Sequence, residues 1–127
     1  QLETAQKQRA ILSGAQMQSA ILSGAQMQRA HLNQAQISSE TAFTEAKFLL
    51  ASVKNCNWSK GRFAKGQLSG AFGDSTTALP AEAAVTSKWP TWNLPERWKV
   101  ADGSLNYDDE WTKWCKGPED YSPPPPP

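Results

Sequence analysis

The stretch that decides the fold is AQKQRAILSGAQMQSAILSGAQMQRAHLNQ, residues 5–34. Its first ten residues recur twice in variant form, and within each ten lies a period of five. Alanine stands at 5, 10, 15, 20, 25, 30 and 35. Two residues after each Ala comes a larger side chain: Lys7, Leu12, Met17, Leu22, Met27, Leu32 and Ile37. Leu2 fits one step earlier. A helix cannot use this pattern. A five-residue step advances roughly 500° at about 100° per residue, so successive Leu and Met positions would wind around the whole helix. Gly14 and Gly24 would also fall mid-helix, each costing about 1 kcal/mol against Ala. A flat strand fails as well, because an odd period reverses faces at every repeat. The conflict vanishes if the chain turns a corner once per repeat. Ala then points in, the next residue points out, Leu or Met points in, and two polar residues make the corner. Four corners close one coil, and coils stack at about 4.8 Å.

Outward from this stretch the register slips once. Ile37 to Phe43 is six residues, and Phe43, Phe48, Val53, Trp58, Phe63 and Leu68 then follow at five. The extra residue near Ser38–Glu40 reads as a bulge at one corner. Stacking coil on coil pairs Leu2, Leu22, Phe43 and Phe63 in one column. The others are Lys7, Met27, Phe48 and Leu68; Leu12, Leu32 and Val53; and Met17, Ile37 and Trp58. Lys7 at a central position suits the end of a stack, where its ammonium reaches water. The pattern starts almost at residue 1, so an upstream segment of a longer chain is also expected.

Ala10-Ile11-Leu12-Ser13-Gly14 and Ala20-Ile21-Leu22-Ser23-Gly24 resemble the pentapeptide-repeat family, with Ile in place of the usual Asn or Asp. The resemblance implies an all-β fold, a right-handed quadrilateral β-helix, and the hand agrees with the preference for right-handed parallel crossovers. The expected organisation is a β-helix over 1–73, a Trp- and Pro-rich loop with a capping helix over 74–121, and a polyproline tail over 122–127. The order Phe72-Gly73-Asp74, Leu79-Pro80, Trp89-Pro90 and then Trp111 and Trp114 is similar to a cap that follows such repeats in some bacterial proteins.

Charge is nearly balanced overall, 13 Lys and Arg against 12 Asp and Glu, for a net +1. That excludes the global basic excess of a nucleic-acid binder. It is unevenly placed: residues 1–73 hold eight basic and three acidic residues, and 74–127 hold five basic and nine acidic. The two parts can attract each other, in competition with an external anionic partner. Two cysteines are too few for a disulfide framework. No P-loop, GxGxxG, HExxH, GxSxG or CxxC is present, and one histidine leaves little for a metal site or triad. No apolar run approaches the roughly 20 residues of a membrane-spanning helix.

Asp108 to Lys116 reads as a short helix with Asp108 as N-cap, acids in the first turn and lysines in the last. Trp111, Trp114 and Cys115 share one of its faces. A solenoid end exposes unpaired edges, so Trp111 and Trp114 are expected to close it near Phe63, Leu68 and Phe72. Trp89, Trp92 and Trp98 are then left as a partner-binding surface, since Trp anchors dominate interface energies. Lys54, Lys60, Arg62 and Lys65 gather on the last coil as an anion patch, with a solvated face, or one paired with the acids Asp108–Glu110, as the plainer reading. His31 takes an outward slot. Cys56 takes a small inward one, where a buried, inert thiol is expected; a Cys56–Cys115 disulfide is the alternative. The tail from Ser122 is a spacer or a ligand for an aromatic groove.

The function expected from these features is a non-enzymatic bacterial scaffold or protein-interaction module. It needs no cofactor or metal and no nucleic acid. Its setting would be the bacterial cytoplasm, at the surface of a larger membrane assembly. The resemblance also implies an alternative, the DNA-mimicking topoisomerase-binding proteins of the family, which depend on an acidic surface. A carbohydrate-active β-helix enzyme would need acid and base clusters that this sequence lacks.

Overall fold

The computed structural model describes residues 11–80 and 88–127. The expected slots at Leu2, Lys7 and the alanines at 5 and 10 lie outside the described residues. From Ile11 the chain turns a corner about every five residues and stacks on itself. Parallel bridges join Ile11 to His31 and Gln16 to Gln36, each across a single four-cornered coil. Past the slip, Ile21 pairs with Ala42, Gln26 with Lys47 and His31 with Ser52, and each of these intervals is longer by the inserted residue. Every bridge is isolated, and the described residues form no longer strand. Each side of the coil has room for only a few residues between corners, so a ladder cannot lengthen along it.

Each corner is a four-residue turn closed by backbone bonds such as Ala15 N–H to the Leu12 carbonyl (3.0 Å) and Ala25 N–H to that of Leu22 (2.9 Å). At most corners the third residue has positive φ, as a type II turn requires; the corners Ser38–Thr41, Trp58–Gly61 and Leu68–Ala71 do without it. Gly14 and Gly24 supply it freely, whereas Ser19, Arg29, Gln34, Glu45, Leu50 and Asn55 adopt it with a Cβ. At Gly14 φ is +72° and a methyl group would meet no atom within 4 Å. Gly14→Ala should therefore lower the unfolding free energy by about 1 kcal/mol through backbone strain alone. Glu45→Gly should raise it by a similar amount, about 0.5–1 kcal/mol. Urea denaturation of both variants reads the two signs, and a shift in the same direction would remove the left-handed corner.

The column residues Leu22, Met27, Leu32, Phe43, Phe48, Val53, Trp58 and Leu68 are buried. The Phe43 and Phe63 rings stack at 4.5 Å between centroids, close to the coil spacing. The indole of Trp58 donates to the Ala35 carbonyl (3.0 Å). Residues 59–70 form no bridge, and Phe63 is only half-buried. Its ring folds back into the space a Gly61 side chain would occupy.

The coil does not end at residue 73. Bridges resume from Ser52 to Phe72 and from Asn57 to Ala78. The second interval exceeds the first by a single position, which marks a second slip that the sequence reading missed. Both slips are built alike. Ser38 and Asp74 are the inserted residues, each accepting at its carbonyl from the Thr three residues on (3.1 Å in both). The hydroxyls of Thr41 and Thr77 then donate to the carbonyls of Met17 and Val53, 2.8 Å each. A threonine in the small inward slot thus satisfies a carbonyl that the widened corner exposes.

The helix α1 spans Tyr107–Lys116, and its N-cap is Asn106 rather than Asp108. The Asn106 side chain accepts from Asp109 N–H (2.9 Å). The helix does not close the end of the stack. It lies along one side, over the outward slots His31, Ser52 and Phe72. Trp111 contacts His31 edge-on at 5.4 Å and donates to the Leu50 carbonyl (2.8 Å). Trp114 lies 5.3 Å from Phe72 and donates to the Gly70 carbonyl (3.1 Å). Of the three expected neighbours Phe63, Leu68 and Phe72, only Phe72 makes a ring contact with these tryptophans. The reason is Phe72 itself, an aromatic ring in an outward slot that needs covering from the side. The end of the column is closed instead by Trp89. Gly73 leaves the central slot above Val53 vacant, and a Cβ there would sit 2.9 Å from the Trp89 ring. The Trp89 indole donates to the Ala71 carbonyl (3.0 Å). It thereby satisfies an acceptor that a further coil would otherwise pair.

Candidate interaction surface

The four expected anion-binding residues do not form one patch. Lys54 is 2% exposed. Its Nζ donates to Asp74 Oδ2 (2.6 Å) and Asn93 Oδ1 (2.7 Å) and stands 5.2 Å from the Tyr107 ring centroid. Asp74 also accepts from the backbone N–H of Leu94 and Thr76 and from the Thr76 hydroxyl. Lys54 therefore ties two coils to the C-terminal loop and is closed to any anion. Lys60, Arg62 and Lys65 are exposed. Arg62 and Lys65 border an open groove of about 600 Å³ with Lys47, and Phe48, Leu49 and Ala64 also line it. Lys47 comes from the coil below, and its outward slot was the only sequence signal for it. Among the described residues none of these cations has an ion-pair partner, and Gln28 Oε1, beside the groove, is a buried acceptor without a hydrogen bond.

The three expected partner-binding tryptophans also separate. Trp89 is 4% exposed and belongs to the core. Trp92 is half-buried, and its indole donates to the Pro124 carbonyl (3.0 Å). Trp98 alone projects, at 78% exposure. It sits in a 3-10 turn, Arg97–Lys99, which Lys99 N–H closes on the Glu96 carbonyl (2.9 Å). The Lys99 ammonium lies 4.9 Å from the indole centroid. Beside Trp98 a cleft of about 170 Å³ is bounded by His31, Asn33, Asn55, Tyr107 and Asp108.

His31 and Ser13 meet in that cleft through a hydrogen bond between Nδ1 and Oγ. Asn33 Oδ1 accepts from Ser52 Oγ (2.5 Å) and from Lys54 N–H (3.0 Å). That orientation turns the Asn33 amide donor toward His31 Nε2 (3.3 Å), so the ring is held from both sides. The Tyr107 hydroxyl lies 2.8 Å from Ser52 Oγ and 3.0 Å from the Phe72 carbonyl oxygen. Burial raises its ionisation well above the ordinary tyrosine range. The Tyr121 hydroxyl donates to Glu110 Oε1 (2.9 Å), and burial, with the adjoining carboxylate, raises it too.

Both cysteines are free thiols. Cys56 is buried with its Sγ donating to the Leu32 carbonyl (3.0 Å), and burial pushes it up to about 12, which leaves almost no thiolate. Among the described residues no three His, Cys, Asp or Glu side chains stand together as a metal site would need. Among the same residues no helix is long and apolar enough to cross a membrane.

The family model described as Pentapeptide repeats (8 copies) matches residues 10–48. No curated protein and no solved structure matches the chain.

Proposed function

Because residues 10–48 are a pentapeptide-repeat segment, we propose that the chain is a right-handed quadrilateral β-helix serving as a non-enzymatic protein-interaction module. Its setting is a bacterial cytoplasm, as an accessory part of a larger assembly at the membrane surface. The right hand follows from the general preference of parallel crossovers. The observation that carries the interaction reading is Trp98, a large ring held out in solvent on a closed turn beside a preformed cleft. Such a ring loses little conformational freedom on docking and brings a large apolar area with one polar handle. The exposed cations Lys47, Arg62 and Lys65 run against an anionic DNA mimic.

Trp98→Ala tests the reading. Immobilised wild-type chain should retain a specific protein from a lysate of the producing cells, and that protein, once purified, should bind the variant at least about ten-fold more weakly. The melting temperature should stay within about 2 °C, as for other exposed positions. Equal binding of the two chains would remove Trp98 from the interface.

A further inference from the structure

The half-buried indole of Trp92 is occupied by the chain's own run of prolines. Its N–H donates to the Pro124 carbonyl at 3.0 Å. Residues 123–127 are five consecutive prolines. Such a run adopts the polyproline II form, which makes no internal hydrogen bonds and leaves every carbonyl free. An indole N–H to a proline carbonyl, with the rings packed alongside, is the chemistry by which aromatic grooves recognise proline-rich ligands.

The way the tail is held points to exchange. Tyr121 is fixed: its ring lies 5.4 Å from Phe72 and 5.7 Å from Trp114, and its hydroxyl bonds Glu110. Just before it, Lys88 Nζ donates to the Glu119 carbonyl (2.6 Å). Beyond Tyr121 the grip weakens sharply. Among the described residues the Trp92–Pro124 bond is the only hydrogen bond made by 122–127, and Pro123 and Pro125–Pro127 are exposed. The prolines can therefore lift from Trp92 while Tyr121 keeps its place in the core.

We propose that Trp92 is a receptor site for a polyproline II segment of a partner protein, covered in the free chain by the chain's own prolines. This rests on the interaction-module reading but uses a surface separate from Trp98. The tether from Tyr121 to Pro124 is short, so the tail competes at an effective concentration of about millimolar. A second copy offers the same tail without that advantage and cannot displace it. A partner whose proline segment reaches further along the half-buried ring can.

The test is a fluorescence-anisotropy titration of a fluorescein-labelled peptide, Ser-Pro-Pro-Pro-Pro-Pro. It is added to the 127-residue chain and to a variant of it carrying Pro123→Ser, Pro124→Gly, Pro125→Ser, Pro126→Gly and Pro127→Ser. The expected result is at least about ten-fold tighter binding to the tail variant, because the competing prolines are gone. Adding Trp92→Phe, which keeps a ring and removes the N–H, should weaken that binding at least about ten-fold by the loss of the indole hydrogen bond. Trp98→Ala in the same background should leave it unchanged, so the two surfaces fail separately. Three results would overturn the proposal: no saturable binding to the tail variant, binding insensitive to Trp92→Phe, or equal binding of a Gly-Ser peptide of the same length. Sedimentation showing a wild-type dimer that disappears in the tail variant would overturn the choice of partner and assign the site to a second copy.

Discussion

Lys54→Ala should destabilise the protein by about 3–5 kcal/mol, the usual cost of removing one partner from a buried ion pair. Against a total stability of about 5–15 kcal/mol this is roughly a fifth or more. The size follows from the surroundings of the pair. The side chains of Lys54 and Asp74 are 2% and 0% exposed and lie 2.6 Å apart. Removing the ammonium leaves a carboxylate sealed under Asn93, Leu94 and Tyr107, with only the N–H groups of Leu94 and Thr76 and the Thr76 hydroxyl left to it. Asp74→Asn should cost less, because the amide oxygen can keep some of those donors while the Lys54 charge loses its partner. Urea unfolding of both variants checks this. A Lys54→Ala loss below about 1 kcal/mol, the range of exposed pairs, would show the contact to be a surface one.

Trp89→Ala is expected to cost about 3–5 kcal/mol as well, the range for emptying a buried Trp site. The void would open where Gly73 offers no side chain, and the Ala71 carbonyl would lose its donor. Trp89→Phe separates the two contributions: it keeps most of the ring and gives up the hydrogen bond, for about 1–3 kcal/mol. Thermal and chemical melts of the pair should rank Ala far below Phe. An Ala variant within about 0.5 kcal/mol of wild type would return Trp89 to the surface. The contrast with Trp98→Ala is direct, since one ring closes the column and the other stands in solvent.

The five-residue period in 5–34 was enough to set inward and outward slots, because neighbours in a repeat are fixed by local geometry. Leu22, Met27 and Leu32 are buried where that pattern puts them. The slip at Ser38–Glu40 was legible as a six-residue interval between Ile37 and Phe43, and the bridged intervals lengthen across it to match. The second slip was hidden because Gly73 carries no side chain to mark the central slot. The Lys54–Asp74 pair was readable in principle, since the two stand a single coil apart in sequence and therefore stack. It was missed because a lysine beside three other cations looks like a solvated patch.

The repeat, its corners and its columns follow from which residues recur and how far apart. What each tryptophan does depends on the folded chain around it. Trp89, Trp92, Trp98, Trp111 and Trp114 are chemically identical, and nothing local distinguishes a plug from a side cover or an exposed ring. Their places depend on vacancies and backbone acceptors far away in the chain. Gly73 leaves a hole and Ala71 a free carbonyl, and these claim Trp89. The carbonyls of Leu50 and Gly70, beside the outward ring of Phe72, claim Trp111 and Trp114. The tail claims Trp92 through Pro124. Trp98 stays in solvent on its closed turn, with the Lys99 ammonium over its ring. A ring is buried where a shaped space and an acceptor within reach coincide, and that coincidence exists only once the coils have stacked.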